Sequence, residues 1–285
     1  MDRHHNFITD LEKSDFKILE DGQPQDIRFF GRETDLPLRI GVLLDTSNSI
    51  RPRLEFEKDA AVDFLSRVIR RNQDLAFLMT FDNEPQVIQD YTDNLDLLTS
   101  AIREQRAGGG TALRDAICIA SEKLLHPPLP KGTASDLRRV IVLISDGSDN
   151  LSDHALSDAI DASIRSEAAV YSVSTNTDWL AIDTPDKPSK YHLDEGDKVL
   201  QQFSDQTGGH AFFPYKVDDL EQSFSDIGTE LRSQYFIAYS PAIAPTNGGY
   251  RRIEVQTDRK GLIVRSRKGY YAVAPPPPTA NTARP

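Results

Sequence analysis

A chain of 285 residues can hold one large domain, or a standard domain with a smaller companion. Its 33 basic against 44 acidic residues leave a net charge of −11, which repels nucleic-acid phosphates and anionic membrane surfaces. The single cysteine, Cys118, excludes an intrachain disulfide, and no apolar run reaches the roughly 18 residues that a membrane span needs. The N-terminus, MDRHHNFITD, has no apolar signal-peptide core. "DFKILEDGQPQDIRFF" alternates and turns on Asp21-Gly22, the pattern of a hairpin. From about Leu36 to Tyr235, strand and helix patterns alternate.

"LRIGVLLD" reads as a strand buried on both faces. In "LEFEKDAAVDFLSRVIRR", Ala61, Phe64, Leu65, Val68 and Ile69 fall on one helical stripe. "DLAFLMTFD" and "PQVIQDY" are short strands around "DNEP", joined too tightly for a crossover, so one should run antiparallel at an edge. "NLDLLTSAIREQ" and "TALRDAICIASEKLL" are helical, and the second sets Cys118 among apolar neighbours as an inert thiol. After the break "HPPLPKGTASD" come the buried strand "RRVIVLISDG", the helix "SDHALSDAIDASIRSE" and the strand "AAVYSVST". The helix "DKVLQQFSDQTGG" closes on glycine. "HAFFPY" is a strand, and Val217, Leu220, Phe224, Ile227 and Leu231 mark a last helical stripe.

This order predicts a doubly wound α/β fold with a mostly parallel, six-stranded sheet and helices on both faces. "SQYFIAYSP", "GGYRRIEVQTD" and "LIVRSRKGYYAV" are β-patterned. They predict a small antiparallel β unit made from both chain ends. The expected division is 1–35 and 234–273 as β flanks, 36–233 as the α/β domain, and 274–285 as a proline-rich disordered tail.

Chemistry concentrates where buried strands stop. Asp45, Ser47 and Ser49 follow the first core strand in "DTSNS", Thr111 opens a helix after Gly108, Gly109 and Gly110, and Asp146 ends the second core strand in "ISDG". In an open α/β sheet, ligands gather at the carboxyl ends of strands near the reversal of strand order. If the two core strands are neighbours, these side chains converge. The set offers hydroxyls and carboxylates without imidazole or thiolate, which suits a hard cation such as Mg²⁺. The glycines would let backbone approach the ion where a Cβ would obstruct it. The plainer alternative is that Ser47, Ser49 and Asp146 cap the helices that follow.

"DTSNS", the Thr of "GGGTAL" and the Asp of "ISDG" resemble the metal-ion-dependent adhesion site of von Willebrand factor A domains. The resemblance runs from about Leu36 to Arg232. It implies that Ser47, Ser49 and Thr111 touch an ion through their hydroxyls, while Asp45 and Asp146 act directly or through water. It implies Mg²⁺, with Mn²⁺ or Ca²⁺ as alternatives, and an acidic side chain of a protein partner in the remaining position. Both flanks resemble the ends of the bacterial "VWFA-related" proteins abundant in acidobacteria, which implies a secreted or envelope location reached through a longer N-terminus. A cytoplasmic location is the alternative.

The expected function is therefore a metal-dependent adhesion or interaction module, not an enzyme, with an unidentified protein partner, no nucleic acid and no transmembrane segment. Two other readings are a metal-dependent phosphatase or hydrolase and a structural module stiffened by its metal. "VLLDTSNS" resembles the start of a haloacid-dehalogenase-type phosphatase, but Ser47 stands where the acid would be. Asp149 reads as a solvated turn residue, with a hydrogen bond to a metal-bound water as the alternative, and the six histidines show no metal-ligand spacing. In the long loop "TNTDWLAIDTPDKPSKYHLDEG", Trp179 and Tyr191 read as ordinary loop residues, with partner specificity as the alternative. Arg251, Arg252, Arg265, Arg267 and Lys268 are expected to pair with the acidic body.

Overall fold

The computed structural model of the chain describes residues 1, 7–32, 36–129, 137–176, 193–214, 217–242 and 248–272. A six-stranded sheet is built from β4 (Leu38–Asp45), β5 (Leu75–Phe81), β6 (Pro85–Thr92), β7 (Arg138–Ser145), β8 (Ala168–Ser174) and β9 (Ala211–Phe212). Its spatial order is β6-β5-β4-β7-β8-β9. All neighbours are parallel except β5 and β6, so the expected antiparallel strand is the edge strand β6.

Strand periodicity sorts the β4 side chains onto two cores. Ile40, Val42 and Leu44 pack with α1 (Leu54–Val68), α2 (Leu95–Arg103) and α6 (Val217–Leu231). Leu43 packs on the other face with α3 (Leu113–Leu125), α4 (Leu156–Arg165) and α5 (Glu195–Thr207). Gly41 has no side chain because the Phe77 ring fills its place; a Cβ there would lie 2.5 Å from Cζ. α5 stops where the sequence says it should, on Gly208 with φ +82°.

Two buried charges at the other end of the strands were not expected. Arg39 is fully buried in β4, and its guanidinium donates to the carbonyls of Pro128 (2.8 Å), Leu38 (2.8 Å) and Gln73 (3.0 Å). Asp74, also buried, accepts from the Leu38 and Arg70 backbone N–H groups, from Arg70 Nε at 3.0 Å and from Arg232 at 2.6 Å. Burial pulls its carboxyl upward, but the hydrogen bonds from Arg70 and the backbone outweigh burial and hold it below its usual range. Arg232 lies just beyond α6, so this carboxylate fastens the last helix of the domain to the sheet.

Both chain flanks pair as expected. β1 (Phe16–Glu20) runs antiparallel to β2 (Gln23–Gln25) and to β11 (Tyr250–Thr257), which also pairs with β12 (Gly269–Tyr271). β3 (Ile27–Arg32) pairs with β10 (Tyr235–Tyr239). The hairpin turn is Asp21-Gly22, with φ of 48° and 80°. The flank strands enclose a cavity of about 470 Å³ against the N-terminal ends of β7 and β8, so the β unit sits at the opposite edge of the sheet from the strand ends discussed below. Arg265 pairs with Glu230 and Arg267 with Glu167 on the body, whereas Arg251 pairs with Glu20 and Asp21 inside the β unit itself.

Two expected strands are shorter than their patterns. "HAFFPY" forms only the two-residue β9, where Gly209 approaches β8 so closely that a Cβ would lie 2.0 Å from the Val170 carbonyl oxygen. "LIVRSRKGYYAV" is a strand only over β12; residues 262–268 run without strand pairing against α5, where Lys268 N–H donates to the Gln206 carbonyl. The proline-rich tail, Trp179, Tyr191, His4, His5 and His192 lie outside the described residues.

Candidate metal centre

β4 and β7 are hydrogen-bonded neighbours, with Leu44 opposite Ile144. The chain leaves β4 toward β5 on one side and β7 toward β8 on the other, so strand order reverses between them and their C-terminal ends open a crevice. Asp45 is the last residue of β4, and Asp146 follows the last residue of β7.

Asp45 is fully buried and held by both oxygens: Oδ1 accepts from the Ser47 N–H at 2.8 Å and Oδ2 from the Ser145 hydroxyl at 2.6 Å. Burial pushes its carboxyl up to about 6; the hydrogen bonds from Ser145 and Ser47 oppose this, and the Asp146 charge adds to it. The Ser47 and Ser49 hydroxyls lie 3.0 Å apart, and Ser49 Oγ donates to Asp146 Oδ2 at 2.7 Å. Asp146 Oδ1 accepts from the Ser148 N–H at 2.9 Å, and its carbonyl accepts from Asn176 at 2.8 Å. Asp45, Ser47, Ser49 and Asp146 thus form one linked group of oxygens. Ser49 is exposed and the other members are buried, so the group is reached from solvent at Ser49.

Thr111, also buried, is brought to this edge by a loop stitched to both others. Gly108 N–H donates to the Thr46 carbonyl at 2.8 Å, and Asn48 N–H donates to the Gly109 carbonyl at 3.2 Å. On the other side, Thr111 N–H donates to Asn150 Oδ1 at 2.9 Å, while Asn150 N–H returns to the Thr111 carbonyl at 3.0 Å. Asp149, read above as solvated, is instead nearly buried. It accepts from the Arg114 backbone and guanidinium and from Ser152, and so pins the start of α3.

The capping alternative does not hold. Ser47 precedes a short 3₁₀ turn, Asn48–Ile50, without a side-chain capping bond; Arg53 precedes α1 and Ala155 precedes α4. Two of the glycines also have a packing reason. Gly109 adopts φ +76° with the Asn83 amide 2.9 Å from where a Cβ would sit; at Gly110 that place meets Leu151 at 2.5 Å; at Gly108 it is open. Gly109 and Gly110 let the loop pack on its neighbours.

Chemically, the donor set suits a hard divalent cation: two carboxylates for charge, hydroxyls for the remaining positions. Among the described residues no three His, Cys, Asp or Glu side chains form a metal-holding group, so an ion here would depend on the serine and threonine oxygens. One further observation fits a cation. Glu57, in the first turn of α1, is 1% exposed, and neither of its carboxylate oxygens has a hydrogen-bond partner among the described residues. Burial holds it well above the usual carboxylate range, and the charges of Asp45 and Asp146 act in the same direction.

Sequence reasoning missed Glu57 and Ser145. Glu57 sits four residues before Ala61 on the apolar stripe, an acid on a core-facing helix position, and that was the available signal. Ser145 is a polar residue ending an otherwise apolar strand, directly beside Asp146. His154 bonds to Asp115 at 2.7 Å, away from the linked oxygens.

No curated protein sequence matches the chain. The family model for the von Willebrand factor type A domain matches residues 40–148, from within β4 to just past Asp146. Among solved structures, the chain resembles a von Willebrand factor type A protein from Catenulispora acidiphila, with TM-score 0.53 and 17% identity over 70% of this chain and 43% of that one. It resembles an aerotolerance-related membrane protein from Bacteroides fragilis with TM-score 0.52 and 18% identity, over 69% of this chain and all of that one (100%). It also resembles a D319A mutant of the PilB minor pilin from Streptococcus sanguinis, with TM-score 0.51 and 13% identity over 70% and 62%. The chain thus spans less than half of the Catenulispora protein, and at these identities the likeness is one of fold. By that fold, and by a family model that matches residues 40–148, this part of the chain is similar to von Willebrand factor type A domains.

Proposed function

We propose that this domain is a divalent-metal-dependent protein-binding module rather than an enzyme. The observation that carries the reading is the linked oxygen group of Asp45, Ser47, Ser49 and Asp146, open to solvent at Ser49. Ser47, Ser49 and Thr111 would hold the ion through hydroxyls, with Asp45 and Asp146 supplying charge directly or through water. The ion, Mg²⁺ by preference and Mn²⁺ or Ca²⁺ otherwise, supplies an electrophilic position for a carboxylate oxygen of the partner. Von Willebrand factor type A domains typically mediate protein–protein contacts, which supports this reading. Asp45 is poorly set up as a nucleophile, because both of its oxygens are engaged by Ser47 and Ser145.

We assign the binding domain to residues 36–233, with the flanks 1–35 and 234–273 packed at the far edge, where they leave the strand ends clear. An extracytoplasmic setting is consistent with likeness to a membrane protein and a pilin; among the described residues no helix is long and apolar enough to cross a membrane. The test is retention of envelope protein on the immobilised domain in Mg²⁺ and in EDTA. Retention should be lost in EDTA and strongly reduced in Ser47→Ala and Asp146→Ala. Equal retention in all four conditions would contradict the reading.

A further inference from the structure

The face of α1 that carries Ala61, Phe64 and Val68 into the core also carries Glu57. A carboxylate shut away from solvent with no hydrogen-bond donor is among the costliest side-chain placements in a folded protein. Nearby pairs would relieve it, yet the carboxylates close enough to act on it, Asp45 and Asp146, carry the same sign. The nearby positive group is Arg53, at the start of the same helix. Asp45 spends its own oxygens on Ser47 and Ser145, and Asp146 spends one on Ser49 and one on Ser148. Among the described buried side chains, Glu57 is the acid whose two oxygens both lack a hydrogen-bond partner. A helix position like this would tolerate leucine or methionine at lower cost, so the acid calls for a hydrogen-bond donor that the described residues do not supply and for more positive charge than Arg53 brings.

We propose that Glu57 serves the metal centre from outside its ligand set, as a positioning residue that accepts hydrogen bonds from water retained by the ion on the core side. The inference rests on the metal-binding reading above and deepens it. It explains why the acid is uncommitted: Mg²⁺-type ions keep part of their water shell, and those waters need acceptors. It also shapes what the site recognises. A third buried negative charge strengthens capture of the cation and favours ions of higher charge, independently of any partner.

The experiment is a titration of Mn²⁺ and Tb³⁺ into EDTA-stripped wild-type protein and Glu57→Gln, with melting temperatures of both proteins in EDTA. Glutamine keeps the shape and removes the charge. The expected result is a loss of Mn²⁺ affinity of about 10- to 100-fold, a larger loss for Tb³⁺, and a metal-free melting temperature no lower than wild type. A merely structural role would lower the metal-free melting temperature and leave affinity alone. Should Glu57→Gln not fold, Glu57→Met replaces the carboxyl with an apolar group of similar length and is read the same way. Wild-type binding with unchanged affinity in the variant overturns this inference and leaves the site standing. Absence of binding in the wild type overturns the metal reading itself, and this inference with it.

Discussion

The Ser49 hydroxyl donates to the Asp146 carboxylate at 2.7 Å across 97 positions of sequence. It joins the loop after β4 to the end of β7 at the reversal of strand order, on the solvent side of the oxygen cluster. Ser49→Ala removes one hydrogen bond to a charged group at an exposed position, so stability should fall by about 1 kcal/mol or less. Metal affinity should fall far more, by about tenfold or greater. A Mn²⁺ titration alongside a urea melt separates the two effects; proportionate small losses in both would argue against a metal role for Ser49.

Asp74 predicts an acid-sensitive contribution to stability. Its folded-state carboxyl is held below the ordinary value of 3.8, so its stabilisation is complete above that value and is lost as the pH falls through the folded value. Asp74→Asn should cost about 2–3 kcal/mol at neutral pH, less than a fully enclosed pair would, because Arg70 and Arg232 reach solvent. Urea melts at pH 7 and pH 3 check this: the gap between the two proteins should narrow at the lower pH. A constant gap would show that the charge on Asp74 is not what matters.

Cys118 packs against the core on the α3 face, where burial, and secondarily Asp115 and Asp158, pushes its thiol up to about 11. At pH 8 only about one molecule in a thousand carries the reactive thiolate. Iodoacetamide should therefore label the folded protein slowly and the urea-unfolded protein quickly, as followed by mass. Equal rates would place the thiol in a different environment.

Gly147 follows Asp146 with φ +77°, and a Cβ there would sit 2.2 Å from the Gly196 carbonyl oxygen at the start of α5. Gly147→Ala should cost about 2 kcal/mol or more, from left-handed strain together with the forced separation of two backbones. Chemical unfolding measures the loss. A variant as stable as wild type would mean that this approach is looser than the structure shows.

Periodicity made much of the fold legible. The unbroken apolar run of β4, the stripe of α1 and the tight "DNEP" link led to a mostly parallel sheet with one strand reversed at an edge, which proves to be β6. The polar ends of β4 and β7 stood out as candidate site residues because an apolar strand that stops in carboxylates and hydroxyls contradicts core logic unless those groups meet something. Other features depend on partners that a linear reading cannot name. Gly209 must be glycine because its backbone lies against Val170, and Asp149 is drawn in from solvent because Arg114 reaches it. Arg39 was hidden because its three carbonyl acceptors come from separate loops and from its own strand. Glu57 escaped notice because an acid in a first helical turn is ordinary on electrostatic grounds; only its burial makes it unusual.

The central claim is that one divalent ion sits among Asp45, Ser47, Ser49, Thr111 and Asp146 and stays open toward solvent. A crystal structure from Mn²⁺-containing solution, phased for the anomalous signal of manganese, tests it most directly. The account predicts a single strong peak within bonding distance of the serine and threonine hydroxyls, with a solvent-facing position held by water or an anionic oxygen. A crystal with no peak at these residues, or with the ion enclosed on every side, would contradict it.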